Sequence, residues 1–278
     1  MKYLKHEFTK RCKAKYSYLG FKNYKQSFSR VINDVLQCFN LKIIGEGHYF
    51  TIEFRICALC SKIIHPDMGL YELNGLNQSF DIYYNGWNYN KVSKEELNKS
   101  LDDMFKLMDD ELMPYFIRAA DCKTAFIYKY ELDKKMFDIK SSWLKHHGIS
   151  NDKISFETEA ICDTDRYYMA LKTKNFEYAK KYLQAMIKLE QENYYWYKNE
   201  ITKGKDSYLQ SSMDSKIFIE SLEKQLKKIV DKDYQFFKNL VSENERLSIE
   251  NLREISTKTG KERLMFIIDR VRTETGDG

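Results

Sequence analysis

Proline and glycine are scarce. The chain has 2 prolines and 11 glycines in 278 residues, so few positions force a turn or break a helix, and the composition points to a largely helical protein with few rigid loops. Long apolar runs are missing too. No stretch approaches the roughly 18–20 apolar residues of a membrane span. The opening MKYLKHEFTKR has no apolar segment behind its lysines, which excludes a secretory signal there. The expectation is an intracellular, cytoplasmic chain without membrane association. Its six cysteines (Cys12, Cys38, Cys57, Cys60, Cys122, Cys162) are then expected reduced and used as small buried hydrophobes.

Signatures of catalysis are also lacking. Neither Gly-x-Ser-x-Gly nor His-Glu-x-x-His occurs. Thr259-Gly260-Lys261 has Ile255 where a phosphate loop needs its first glycine and Glu262 where it needs Ser or Thr. Cys57 and Cys60 form a C-x-x-C near His48 and His65, but a second ligand pair is missing, and residues three apart on a strand face opposite sides. His146 and His147 diverge by about 100° on a helix, and a histidine at a helix end suits the dipole. Asp102-Asp103 and Asp109-Asp110-Glu111 lie on the solvated side by helical phase. No metal, no cofactor and no catalytic residue is assigned, and the balance leans against an enzyme.

What is present is a core. Hydrophobic residues make up 43% and aromatics 15% of the chain, enough to bury a substantial interior. The organising stretch is Gln26 to Cys60. Val35, Phe39, Leu41 and Ile43 share one parity, with Asn40 and Lys42 on the other; Phe50, Ile52, Phe54 and Ile56 share one, with Thr51, Glu53 and Arg55 on the other. Successive strand residues point to opposite faces, so each run has an apolar and a polar side. Gly45-Glu46-Gly47-His48 joins them as a hairpin connection. A strand over Ser27–Ile32 precedes them, and a fourth over Ser79–Tyr84 is closed by Asn85-Gly86.

Helices flank this sheet. Leu4, Phe8, Cys12, Tyr16 and Leu19 form one stripe, ended by Gly20. Ser93 and Glu96 form a capping box for a helix carrying Leu97, Leu101, Met104, Phe105, Met108 and Leu112, which Pro114 kinks or restarts. Residues 121–147 read as helix in two pieces. Tyr167–Lys172 and Phe176–Asn199 read as an antiparallel helical pair. A long helix over 214–241 carries Ile219, Leu222, Leu226, Ile229, Phe236 and Leu240 at heptad-like spacing, with Asp233 in the gap. Ser242 with Glu245 opens a further helix that Gly260 ends. The fold class is α+β: an N-terminal helix, an antiparallel sheet of about four strands and a helix over 1–120, then an all-α half over 121–278.

Leu19-Gly20-Phe21-Lys22, Phe28 with Arg30, the strand holding Gln37, and Phe50-Thr51-Ile52 form an ordered series. Over residues 1–120 this series resembles a bacterial family of uncharacterised proteins, domain of unknown function 4304. The resemblance implies a first helix ending in Gly-Phe-Lys that leads into a strand meander. It implies no activity, and this chain departs from it by its long helical half.

Charge and aromatics supply the functional candidates. Net charge is only +5, but residues 1–30 hold nine Lys/Arg against one acid, Glu7. Lys5, Lys10 and Lys13 are therefore candidate phosphate contacts for a nucleic-acid partner. Tyr83, Tyr84 and Trp87 gather at a turn, with Tyr89 close by. Tyr195 and Trp196 lie in a run of four consecutive rings that cannot all face one core. Both groups are candidate protein-binding surface. Glu53 and Arg55, with His48, are the cluster named for an enzyme or small-ligand site between sheet and helical half. The leading expectation is a non-enzymatic protein-interaction module, with a homodimer through the 214–241 helix among its forms.

Overall fold

Alternation of apolar and polar side chains builds the sheet as expected. The structure is a computed structural model, and it describes residues 1–45, 48–63, 71–76, 86–88, 92–146 and 163–258. The strands are β1 (Lys22–Tyr24), β2 (Ser27–Ile32), β3 (Val35–Ile44), β4 (Tyr49–Ala58), β5 (Tyr71–Glu72) and β6 (Trp87–Asn88). They run in the order β1-β2-β3-β4-β5, with β6 also pairing β4, and every pairing is antiparallel. The β3–β4 register sets Phe39 opposite Phe54, Leu41 opposite Ile52 and Ile43 opposite Phe50, which puts the two apolar parities on one face. The expected strand over 79–84, with Tyr83 and Tyr84, lies outside the described residues.

Contacts divide the chain into two units, Met1–Lys153 with Asn244–Gly278, and Ile154–Glu243. The boundary drawn from sequence at residue 120 falls inside the first of them.

In the first unit, helices α1 (Lys2–Tyr16), α2 (Lys94–Leu107) and α3 (Met113–Arg118) cover the apolar sheet face. Leu4, Phe8, Cys12 and Tyr16 of α1 are buried. The core is aromatic: Phe28 stacks on Phe39 at 5.2 Å, Phe8 meets Phe28 edge-on at 5.9 Å and Phe105 at 6.1 Å, and Tyr16 meets Phe39 at 5.8 Å. The capping box forms as read: Glu96 N–H donates to Ser93 Oγ at 3.2 Å and Ser93 N–H to Glu96 Oε2 at 2.7 Å. Pro114 lies just after a wider helical turn over Met108–Leu112, which carries the helix from α2 into α3 past the donor the proline lacks. Residues 122–146 are a single helix, α4 (Cys122–His146), rather than two pieces; no proline or glycine stands within it to interrupt the ladder.

The second unit contains α5 (Thr164–Lys172), α6 (Phe176–Thr202) and α7 (Leu209–Val230). It also includes the opening turns of α8 (Tyr234–Lys258). The continuous helix expected over 214–241 is broken. Lys232 has φ +57, and its N–H donates to Ile229 O at 3.1 Å, so α7 ends in a left-handed turn. Asp233, read as a gap in a heptad, is instead the cap that starts α8: its Oδ1 accepts Phe236 N–H at 3.1 Å. Ser242 then lies inside α8 and opens no new helix. Ile219, Leu222, Leu226 and Ile229 face inward because α6 and α7 pack against each other within the chain.

Asp233 also accepts Lys228 Nζ at 2.8 Å. That bond, then the one from Phe236 N–H, holds its carboxyl below the usual value of 3.8. A carboxylate depressed on folding stabilises above its unfolded pKa, and this is lost as pH falls through the folded value. Asparagine keeps the cap but not the charge. The stability gap between wild type and Asp233→Asn is therefore expected to be constant near neutrality and to close below about pH 4. Acid titrations of thermal unfolding measure it, and a gap that persists in acid contradicts the assignment.

Candidate functional site

The polar residues of β4 are engaged by neighbouring strands. Glu53 stands directly opposite Glu72 of β5, a repulsive pairing on adjacent strands. Lys42 resolves it, with Nζ 2.7 Å from Glu53 and 2.8 Å from Glu72. The hydrogen bonds to Glu53 and then Glu72 raise the Lys42 pKa above its ordinary value. Asn40 Nδ2 adds a bond to Glu53 at 3.3 Å. Arg55 is half-buried opposite Cys38. His48 does not join them. It is exposed at the hairpin end, five positions from Glu53, a separation of roughly 16 Å at the rise of a strand. Glu53 is thus the counter-charge of a sheet lysine, not a poised acid.

The five described cysteines and Trp87 are interior. Cys57 lies in a small second core with Val31, Leu36, Leu59, Ile63 and Leu252. Cys60 Sγ is 4.0 Å from Cys122 Sγ, so Cys57 and Cys60 serve different neighbours. Among the described residues no group of three or more His, Cys, Asp or Glu converges as a metal site. Trp87 is 2% exposed and stacks on Phe50 at 6.2 Å, which makes it core rather than contact surface.

Arg30 and Gln37 of adjacent strands meet the end of α3 and the turn after α1. Arg30 Nε donates to Gln37 Oε1 at 2.8 Å, its Nη1 to Leu19 O at 2.5 Å and its Nη2 to Phe116 O at 3.2 Å. Gln37 Nε2 donates to Phe116 O at 2.6 Å and Ala119 O at 2.7 Å. The Arg30 guanidinium lies over the Phe21 ring at 4.6 Å. Burial lowers its pKa to about 10, so it stays charged at neutral pH. These donors satisfy the carbonyls at the end of α3, and Gly20 at φ +86 gives the turn that presents Leu19 O. This network ties sheet to helix; it leaves no open group for a substrate.

Sequence reasoning missed two buried cations, Lys129 and Arg166, the latter with its Nε donating to Asp163 Oδ2 at 3.3 Å. Lys129 is 1% exposed, and its Nζ donates to Tyr71 Oη at 2.7 Å. The signal for Lys129 was the spacing of Cys122, Ala125, Lys129 and Leu132, which sets a lysine on the buried face of α4.

Two surfaces remain. On α1 the buried stripe turns Lys2, His6, Lys10 and Lys13 outward, all exposed, with Lys5 half-buried at the flank. In the second unit Tyr195 and Trp196 are 69% and 50% exposed, and Trp196 meets Tyr208 at 5.1 Å. Leu209, Met213 and Ile217, just beyond Tyr208, are 50%, 60% and 63% exposed. Spaced by four, these three line the side of α7 away from its buried residues Ser212, Ser215 and Leu222. The candidate residues thus form no single site: Lys5, Lys10 and Lys13 share α1, Glu53 and Arg55 share β4, and Tyr195 and Trp196 belong to α6.

The described chain is an α+β unit and a helical unit. Among the described residues no helix is long and apolar enough to cross a membrane. No family model, curated protein or solved structure matches the chain.

Proposed function

We propose that the protein is a non-enzymatic interaction module whose α7 face contacts another protein, in the first instance a second copy of itself. The observation that carries this reading is the outward stripe Leu209, Met213, Ile217, each at least 50% exposed. Large apolar side chains aligned on one helix face are a contact surface in search of an apolar partner. The spacing is self-complementary. Two α7 helices packed antiparallel about Met213 set Leu209 against Ile217 of the copy and Met213 against itself, the isologous arrangement of a two-fold dimer. Three such side chains offer on the order of 300 Å² per partner, below the roughly 800 Å² of a stable interface, so the dimer is weak and concentration-dependent.

The face differs from the one expected by sequence. The heptad-like residues Ile219, Leu222, Leu226 and Ile229 are engaged within the chain, and the opposite side of the same helix carries the contact. Sedimentation velocity over a concentration series is expected to show monomer passing to dimer. Met213→Asp with Ile217→Asp abolishes the dimer at unchanged helicity, and Met213→Cys oxidises to a covalent dimer across the two-fold axis. A wild-type monomer at every soluble concentration overturns the reading, as does a dimer indifferent to the double substitution.

A further inference from the structure

We infer that the outward face of α1 is a docking strip for the phosphate backbone of single-stranded nucleic acid. The one acid of α1, Glu7, is approached by Arg11 at 3.8 Å and Lys10 at 4.0 Å. Two acids of the neighbouring segment are also taken: Asp102 by Arg11 at 2.6 Å, and Asp109 by Lys15 and by Tyr16 Oη at 2.8 Å. Lys2, Lys5 and Lys13 make no ion pair among the described residues, and Lys10 keeps only the long contact to Glu7, with 69% of its side chain exposed.

Helix stability does not account for this pattern. The first turn of α1 contains no acid, while Lys2 and Lys5 stand at the end where the helix dipole is positive and cations are unfavourable. Lys2 and Lys5 are therefore held against the helix dipole, which a bound polyanion relieves, while Lys13 lies in the last turn, where the dipole favours a cation. From Lys2 to Lys13 the helix runs about 16 Å, long enough to follow several successive phosphates. The partner's form is indicated by Tyr18, which is 81% exposed five residues beyond Lys13. A solvent-facing ring in the turn that follows the lysine-bearing helix offers a platform for an unpaired base, which a duplex does not present. Ammonium groups on flexible stems contact phosphates without reading sequence, so binding is sequence-independent.

The test uses the full chain and a fluorescent 20-nucleotide oligo(dT), with affinity measured against salt. With four lysines engaged, log K is expected to fall against log salt with a slope of about −2.8, at roughly 0.7 per phosphate on single strands. Lys5→Gln, Lys10→Gln and Lys13→Gln together reduce the slope by about 2 and the affinity at 0.1 M salt by about a hundredfold. Tyr18→Ser weakens binding severalfold and leaves the slope unchanged. All variants alter exposed or flanking side chains, and unchanged melting confirms that they fold. Three outcomes overturn the inference: a slope near zero, a triple variant that binds like wild type, or binding to phosphatidylserine vesicles with none to the oligonucleotide. The third result assigns the strip to an anionic membrane.

Discussion

Arg30→Ala is expected to destabilise the first unit by about 2–4 kcal/mol, because it orphans two buried acceptors, Gln37 Oε1 and Leu19 O, at about 1–3 kcal/mol each. Phe116 O keeps its bond from Gln37 Nε2 at 2.6 Å. Part of the loss is offset, since the wild-type guanidinium carries its own desolvation cost, visible in a pKa lowered to about 10. Lysine does not rescue it: one ammonium cannot span acceptors that the planar fork reaches in three directions. Gln37→Leu is expected to fall in the same range, leaving Ala119 O without its donor at 2.7 Å. Because the chain holds two units, global unfolding is not a clean readout. Native-state amide exchange of β2 and β3 reports the local effect. Protection unchanged in Arg30→Ala would show that the network contributes nothing to the fold.

Leu252→Ala is expected to cost about 2–4 kcal/mol in the same exchange experiment, through the cavity it leaves in the second core. Leu252 is 1% exposed and packs with Val31, Leu36, Cys57, Leu59 and Ile63 beneath the other face of the sheet. Polar residues of α8 fix its position. Ser248 Oγ accepts Ile63 N–H at 2.7 Å and donates to Leu59 O at 2.7 Å; Asn244 Nδ2 donates to Cys60 O and Asn251 Nδ2 to Ile63 O, each at 2.9 Å. Ser248→Ala leaves a buried donor and a buried acceptor unmatched and is expected to cost about 1–3 kcal/mol. If Ser248→Ala and Leu252→Ala both leave exchange at β2–β4 unaltered, the return of α8 to the sheet is not a stabilising contact.

Short-range patterns were legible in the residue order. The strand parities around Phe39 and Phe54, the α1 stripe and the Ser93–Glu96 box all depend on neighbours within a turn or a pleat, where geometry leaves little choice. The family-like series was read as a pattern; only the fold shows that Leu19, Phe21, Arg30 and Gln37 meet at one helix end. The break at Asp231-Lys232-Asp233 was misread because lysine and aspartate carry no strong breaking signal, and heptad-like spacing runs on by chance across the turn. Glu53 and Arg55 were grouped correctly on one face, yet Glu72, which decides the chemistry of Glu53, comes from a strand only two residues long. Trp87 and Trp196 are alike in a sequence and opposite in the structure.

By itself the sequence determined the α+β class, the apolar sheet face, the first helix with its lysines, and the absence of familiar catalytic signatures, since each follows from composition or local spacing. Tertiary structure alone decided which of those features remain available. It brought Asn244, Ser248 and Leu252 back to the first unit, used the heptad face of α7 inside the chain and left Leu209, Met213 and Ile217 outside. It also matched Arg11 and Lys15 with carboxylates about ninety residues away while leaving Lys2, Lys5 and Lys13 without one among the described residues. The physical reason is that burial and ion pairing are settled by contacts between segments remote in the chain, and the same residue type is core, counter-charge or surface according to what the fold sets beside it.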